Sequence, residues 1–177
     1  MGATTSFAQN ESDKETRKAR KEAEKAKKEA EEMALFAEAF KALNDGYFVL
    51  EADRVEFRRG TNVYVSPNTN FISMVDEKAT IQLNSTGAAF SGPNGIGGIT
   101  VDGNVSNISL KQDRKGNITY SMMVQGVGVS ATVTIRMSKG SNFCTAMVSP
   151  NFNGNRMNFT GYLYPFDKSD IYKGRAL

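Results

Sequence analysis

The chain has 177 residues, 22 Lys/Arg against 19 Asp/Glu, a formal net charge of +3, one cysteine and no histidine. A single cysteine excludes an intrachain disulfide and a cysteine metal cage, and the missing histidine removes the commonest general base and metal ligand. No apolar run approaches the ~20 residues that cross a bilayer as a helix, and the ~130 residues beyond a charged N-terminal run suffice for one core.

In chain order, residues 1–10 read as the disordered remnant of an export signal. Ser6-Phe7-Ala8 has the small-x-small form of a signal-peptidase site, with Gln9 as first mature residue and Met1-Gly2 standing in for the removed leader. Export to the periplasm or cell envelope is the expectation. Residues 11–44 follow as a charged helix. Ser12-Asp13-Lys14-Glu15 has the form of a capping box, and Gly46 suits the left-handed cap after Asn44-Asp45. Ala19, Ala23, Ala26, Ala30, Met33, Ala37 and Phe40 recur at heptad-like spacing, although alanines bury little. Glu24 with Lys28, Lys25 with Glu29 and Lys28 with Glu32 support a solvated rod. Residues 11–32 hold eight Lys/Arg and eight Asp/Glu, so no strong electrostatic partner is expected. From Met33 the face changes: Met33, Phe36, Phe40 and Leu43 form a stripe expected to dock on a sheet.

Residues 45–177 carry the period-two alternation of antiparallel strands. Phe48 and Leu50 share one side, and Val55 and Phe57 fall out of phase, which predicts a bulge near Asp53-Arg54. Short strands follow at Val63–Val65, Phe71–Val75 and around Ala79, Ile81 and Leu83, with a turn at Asp76-Glu77. Residues 85–104 are glycine-rich and irregular around a short strand Ile99–Val101. A turn at Asp102-Gly103-Asn104 then leads to a strand Val105–Gln112. Ile118, Tyr120, Met122 and Val124 alternate next, and Val127, Val129, Ala131, Val133, Ile135 and Met137 continue the pattern. Phe143–Val148 and the run Met157, Phe159, Gly161, Leu163 complete it, before an irregular tail after Pro165. The turns are too short for parallel crossovers. The prediction is a mainly β fold: an antiparallel meander of about 8–10 strands closed into a lipocalin-like β-barrel, which hides its edges. A β-sandwich is the alternative.

No reactive constellation emerges. The loop from Gly92 to Gly98 precedes a strand rather than a helix, so it lacks the support of a phosphate loop. Gly126-x-Gly128-x-x-Ala131 matches a dinucleotide fingerprint by letters but lies within a strand pattern. Asp76, Glu77, Asp102 and Asp113 lack calcium-loop spacing and are explained by turns. Asn84, Asn104, Asn107, Asn117 and Asn158 begin Asn-x-Ser/Thr triplets of the kind that turn and strand chemistry generates. Arg54, Arg58 and Arg59 beside Phe57 are neutralised by Glu51, Asp53 and Glu56, which argues against nucleic acid. Cys144 reads as a small core residue. Tyr162, Tyr164, Phe166 and Tyr172 are placed under the helix, with a stacking platform as the competing reading.

Tyr47-Phe-Val-Leu-Glu-Ala-Asp53, Asn70-Phe-Ile72, Ala79-Thr-Ile-Gln-Leu83, Asn94-Gly-Ile-Gly-Gly-Ile-Thr100, Asp102-Gly103 and Tyr172-Lys-Gly174 carry a resemblance. The chain resembles an uncharacterised domain-of-unknown-function family of small exported proteins from Bacteroidetes-type bacteria, over roughly residues 45–175, with the helix as a variable extension. The resemblance implies a lipocalin-like barrel and export. It carries no activity, cofactor or catalytic residue.

The functional expectation is a non-enzymatic exported barrel that binds a small apolar ligand or an envelope component, with Tyr120, Met122, Tyr162 and Tyr164 as the candidate ligand-facing residues. The alternative is a scaffold whose helix contacts a protein partner or the cell wall. A carboxylate enzyme ranks last. No cofactor, metal, nucleic-acid partner or transmembrane segment is expected.

Overall fold

The structure is a computed structural model that describes residues 5–58, 60–84, 98–151 and 156–173, with side chains from residue 14 onward. It contains one α-helix, α1 (Thr5–Asp45), two short 3-10 turns and nine strands among the described residues. α1 extends past the expected bounds 11–44, so Ser12 lies inside it and not at its cap; the side chains of that capping box before residue 14, and residues 1–4 of the expected leader, lie outside the described residues. Its C-terminus ends as foreseen. Gly46 adopts φ 66, its amide donates to the Leu43 carbonyl and the Tyr47 amide donates to Ala42. These two bonds form a Schellman cap that satisfies the last carbonyls.

The strands are β1 (Phe48–Phe57), β2 (Asn62–Tyr64), β3 (Phe71–Val75), β4 (Lys78–Asn84), β5 (Gly98–Gln112), β6 (Ile118–Gly126), β7 (Ser130–Met137), β8 (Phe143–Pro150) and β9 (Met157–Pro165). Every pairing is antiparallel. The order β1-β3-β4-β5-β6-β7-β8-β9 is closed by β1 against β9, which makes an eight-stranded barrel and excludes the sandwich. β9 occupies one edge of β1 throughout. The other edge pairs with β3 over Phe48–Glu51 and with β2 over Arg54–Glu56, so β2 prolongs β3 along the same edge, outside the ring.

The predicted bulge is present, as a register shift between Ala52 and Arg54. It returns Val55 to the inner face, where it is fully buried. Two strand expectations fail. No turn forms at Asp102-Gly103-Asn104; β5 runs unbroken through it, and its irregularity falls later, between Ser106 and Ser109, at Asn107 with φ 53. Gly103 serves a different need there, since a Cβ would lie 2.6 Å from the Gln125 carbonyl carbon across the ladder. Val127 does not continue the inner face of β7 either. It is exposed in the β6–β7 hairpin, whose Gly128 takes φ 68.

Inward side chains of seven ring strands form one buried apolar cluster, against which Val101, Val105 and Leu110 of β5 pack half-buried. Phe36, Ala39, Ala42 and Leu43 of α1 belong to it, so the end of the helix closes the barrel end where β1, β6 and β8 begin. Met33, expected in the docking stripe, is instead 44% exposed. Small Ala39 and Ala42 take the close contacts, and the face that docks is centred between Phe36 and Leu43.

The tail after Pro165 is not simply irregular. A 3-10 turn at Phe166–Lys168 begins a strap that crosses the outer wall: Ser169 donates to Glu51, the Tyr172 amide donates to the Asn68 carbonyl, and Lys173 pairs with Asp102 at 2.6 Å. Under it Thr80, Gln82 and Thr100, outward residues that alternation would leave in water, are buried. Gln82 Nε2 donates to the Thr69 and Tyr172 carbonyls and its Oε1 accepts from Thr100.

Two substitutions test this architecture. A Cβ at Gly161 would lie 1.9 Å from the Glu51 carbonyl oxygen, so Gly161→Ala is expected to lower unfolding free energy by about 3 kcal/mol, read by denaturant melts; a change below about 1 kcal/mol would contradict the close β1–β9 approach. Gln82→Ala leaves buried partners unsatisfied and is expected to cost about 2 kcal/mol, with protease cleavage appearing first in the tail.

Candidate functional site

The four candidate ligand-facing residues divide into two places. Tyr120 and Met122 alternate inward on β6 and are buried. The Tyr120 ring meets Phe48 edge to face at 5.5 Å, and its hydroxyl donates to Met74 Sδ at 3.2 Å. Burial pushes the phenol up to about 12. Phe48, Leu50, Ile72, Phe159 and Leu163 surround the same interior, each at most 1% exposed. The interior described here is filled with side chains.

Tyr162 and Tyr164 alternate outward on β9, away from Tyr120 and Met122. Tyr162 stands exposed, edge to face with Phe143 at 5.3 Å across the β8–β9 pair. Tyr164 is half-buried, and desolvation, followed by the Glu51 charge, raises its phenol. Phe166 packs on Tyr47 at 5.4 Å, whereas Tyr172 lies in the strap and is exposed. The four late aromatics therefore make neither one platform nor one seat for α1.

A cleft of about 350 Å³ opens where α1 meets the barrel. Leu43, Met74, Ile108 and Tyr120 supply its apolar wall, and Asp45, Asp76 and Glu77 its polar rim. Asp76 and Glu77 occupy the β3–β4 hairpin with φ 49 and 61, a primed turn that suits strand twist but ordinarily carries Asn-Gly. Asp45 is engaged by Lys41, whose hydrogen bond holds its carboxyl below the usual range. Alternation on β6 located Tyr120; Ile108 and Met74 join it only through the ring closure and the β5 irregularity, which no local pattern announces.

Cys144 is buried in the core and its thiol is pushed well up by desolvation, which suits packing rather than nucleophilic chemistry. Asp113 accepts from the Lys115 and Asn117 amides and from Asn117 Nδ2. The Asn117 bonds chiefly hold its carboxyl low, as a turn residue does. Among the described residues no three acidic or sulfur side chains converge as a metal site. The glycine-rich loop before Gly98 lies outside the described residues.

The second surface is the rod. Every residue from Lys14 to Glu31 is exposed. Lys25–Glu29 and Lys28–Glu32 pair as expected at 3.7 and 3.8 Å; Lys28 does not also pair with Glu24, and Lys27–Glu31 forms at 3.8 Å. Among the described residues no helix is long and apolar enough to cross a membrane, which says nothing of the strands.

The sequence pattern of the domain of unknown function DUF4251 matches residues 30–163. The match starts within α1, so it includes the docked helix end, and it stops before the strap. A crystal structure of a DUF4251 family protein from Bacteroides eggerthii DSM 20697 is similar, with 41% identity, a TM-score of 0.71, and coverage of 84% of this chain and 99% of that one. No curated protein matches.

Tyr120 gives the site a pH signature. Its phenol ionises near 12 in the fold but near the ordinary ~10 when unfolded. The unfolded chain therefore releases a proton first. Stability is intact below pH ~10 and is expected to fall as pH rises toward about 12. Alkaline melts of wild type against Tyr120→Phe check this: the wild type should lose stability relative to the variant only in that window.

Proposed function

The chain belongs to the DUF4251 family, a domain of unknown function, and from that premise we propose that it is a non-enzymatic, exported scaffold of the cell envelope, in which the barrel is a rigid body and α1 a contact arm. One observation carries the reading. The rod from Lys14 to Glu31 is exposed at each position and reaches about 26 Å along its axis, while the far end of the same helix is built into the core. A helix that needed only to close the barrel would require a few turns. The extra length costs ordering entropy and gains little from its exposed ion pairs; a partner is the natural return. The reading is non-enzymatic because the sequence has no histidine and its thiol is buried. Ser6-Phe7-Ala8 motivates export.

A second reading is favoured by the cleft at the helix–barrel junction. There Met74, Ile108 and Tyr120 offer an apolar wall for a small ligand at one end of the barrel. The filled interior ranks it below the scaffold.

A photoreactive residue at position 24 of the full chain is expected to cross-link a protein in the native envelope, and deleting residues 9–32 is expected to leave barrel stability within about 0.5 kcal/mol while abolishing co-purification of that protein. Its continued co-purification with the truncated barrel would overturn the arm. A small molecule retained in native mass spectrometry of the truncated protein would favour the cleft.

A further inference from the structure

The charges of α1 cancel in number, but the few that flank its alanine seam differ from one side to the other. With Ala19, Ala26 and Met33 at d and Ala23, Ala30 and Ala37 at a, the flanking g positions are Glu15, Glu22 and Glu29, and the e positions Arg20, Lys27 and Ala34. Along the rod the g flank is acidic until Phe36, which is in the core. The e flank carries Arg20 and Lys27 after Asp13.

This pattern has one self-complementary arrangement. In a parallel pair each g residue faces the e residue five positions on in the partner helix, which sets Glu15 against Arg20 and Glu22 against Lys27. In an antiparallel pair g meets g and e meets e, so glutamates would oppose glutamates. We propose that α1 pairs with α1 of a second copy of this chain as a parallel two-stranded coiled coil, so that the contact arm of the scaffold joins two barrels.

Two features of the fold are consistent with it. Glu15, Arg20 and Glu22 form no ion pair among the described residues, and Lys27 has just a long exposed one with Glu31. The seam is clear of the barrel only along the rod: at about 100° per residue, Ala23 and Ala30 point more than a right angle from Phe36 and Leu43, whereas Met33 lies within a right angle of Phe36, which is in the core, so the coil is confined to the helix before Met33. An alanine seam contributes little burial. The pair is accordingly weak and set in direction by its charges.

The inference rests on α1 being the contact arm, and its test separates the two. Full-length protein is examined by sedimentation equilibrium over a wide concentration range, with Glu22→Lys, Lys27→Glu and the double swap. Concentration-dependent dimers are expected, weakened about tenfold by either single reversal and restored by the double. Ala26→Cys, at d, should form a symmetric disulfide with itself under mild oxidation, whereas Lys21→Cys on the opposite face should not. A monomer at all concentrations, equal dimerisation of the single and double variants, or cross-linking at position 21 in preference to 26 would overturn the coiled coil. Envelope cross-links that survive such a result would leave the arm with a different partner.

Discussion

The pairing of β1 with β9 is the constraint from which the rest follows. It turns a meander into a ring, and it does so through a tight approach of backbones: Gly161 sits where a side chain would strike the Glu51 carbonyl, next to the register shift at Ala52/Arg54. The bulge serves the inner face as well. By adding one residue it restores the phase of Val55 after Leu50 and Ala52, so one long strand contributes to the core along its whole length while bending around the ring. Closure removes the two edges that such a sheet would otherwise expose.

A closed ring of eight strands still has two ends. Its interior at this size is just filled by side chains, which here include Tyr120, Phe48 and Phe159. The end near Phe48 is closed by the chain that precedes it: the Schellman cap at Gly46 turns the backbone from helix axis to strand within two residues, which leaves Leu43 against the core that β1 enters. The strap does the equivalent for the outer wall of β3, β4 and β5. Helix end and tail are thus both parts of the barrel's packing, although neither is a strand.

Alternation made the strands legible wherever one face met the core and the other met water. β6 and β7 are read almost residue by residue, and the phase break in β1 betrayed its bulge. The reading failed where a residue's role depends on a neighbour distant in sequence. Gly103 looks like a turn glycine, yet its lack of a side chain serves a cross-strand approach to Gln125. Gln82 has the polarity of an exposed strand residue, and nothing near it announces that Tyr172, ninety positions on, will cover it. Val127 follows the period, but Gly126 and Gly128 beside it make the hairpin that ends the strand. The candidate site suffered likewise: alternation within one strand told inward from outward, so it found Tyr120 and Met122 buried and Tyr162 exposed only once each strand's phase was tied to the ring.

These facts bear on where recognition can occur. Side chains at zero to a few per cent exposure leave the described interior no room to take up a guest without repacking, and repacking a core of this density is costly. Evolution of binding on such a body is cheapest on parts whose change does not disturb the ring. Two are available: the junction cleft, whose Ile108 and Tyr47 remain exposed, and the rod, whose residues from Lys14 to Glu31 are exposed. The rod differs in kind, because its sequence is constrained by no packing within the chain and yet is ordered in charge, with glutamates along one flank of the alanine seam and cations along the other. Helix propensity alone accounts for Ala, Glu and Lys in any sequence order, and pairing at four-residue spacing accounts for the places of Lys25, Lys27 and Lys28. Neither accounts for the sides that Glu15, Glu22 and Arg20 take, which an opposing helix would.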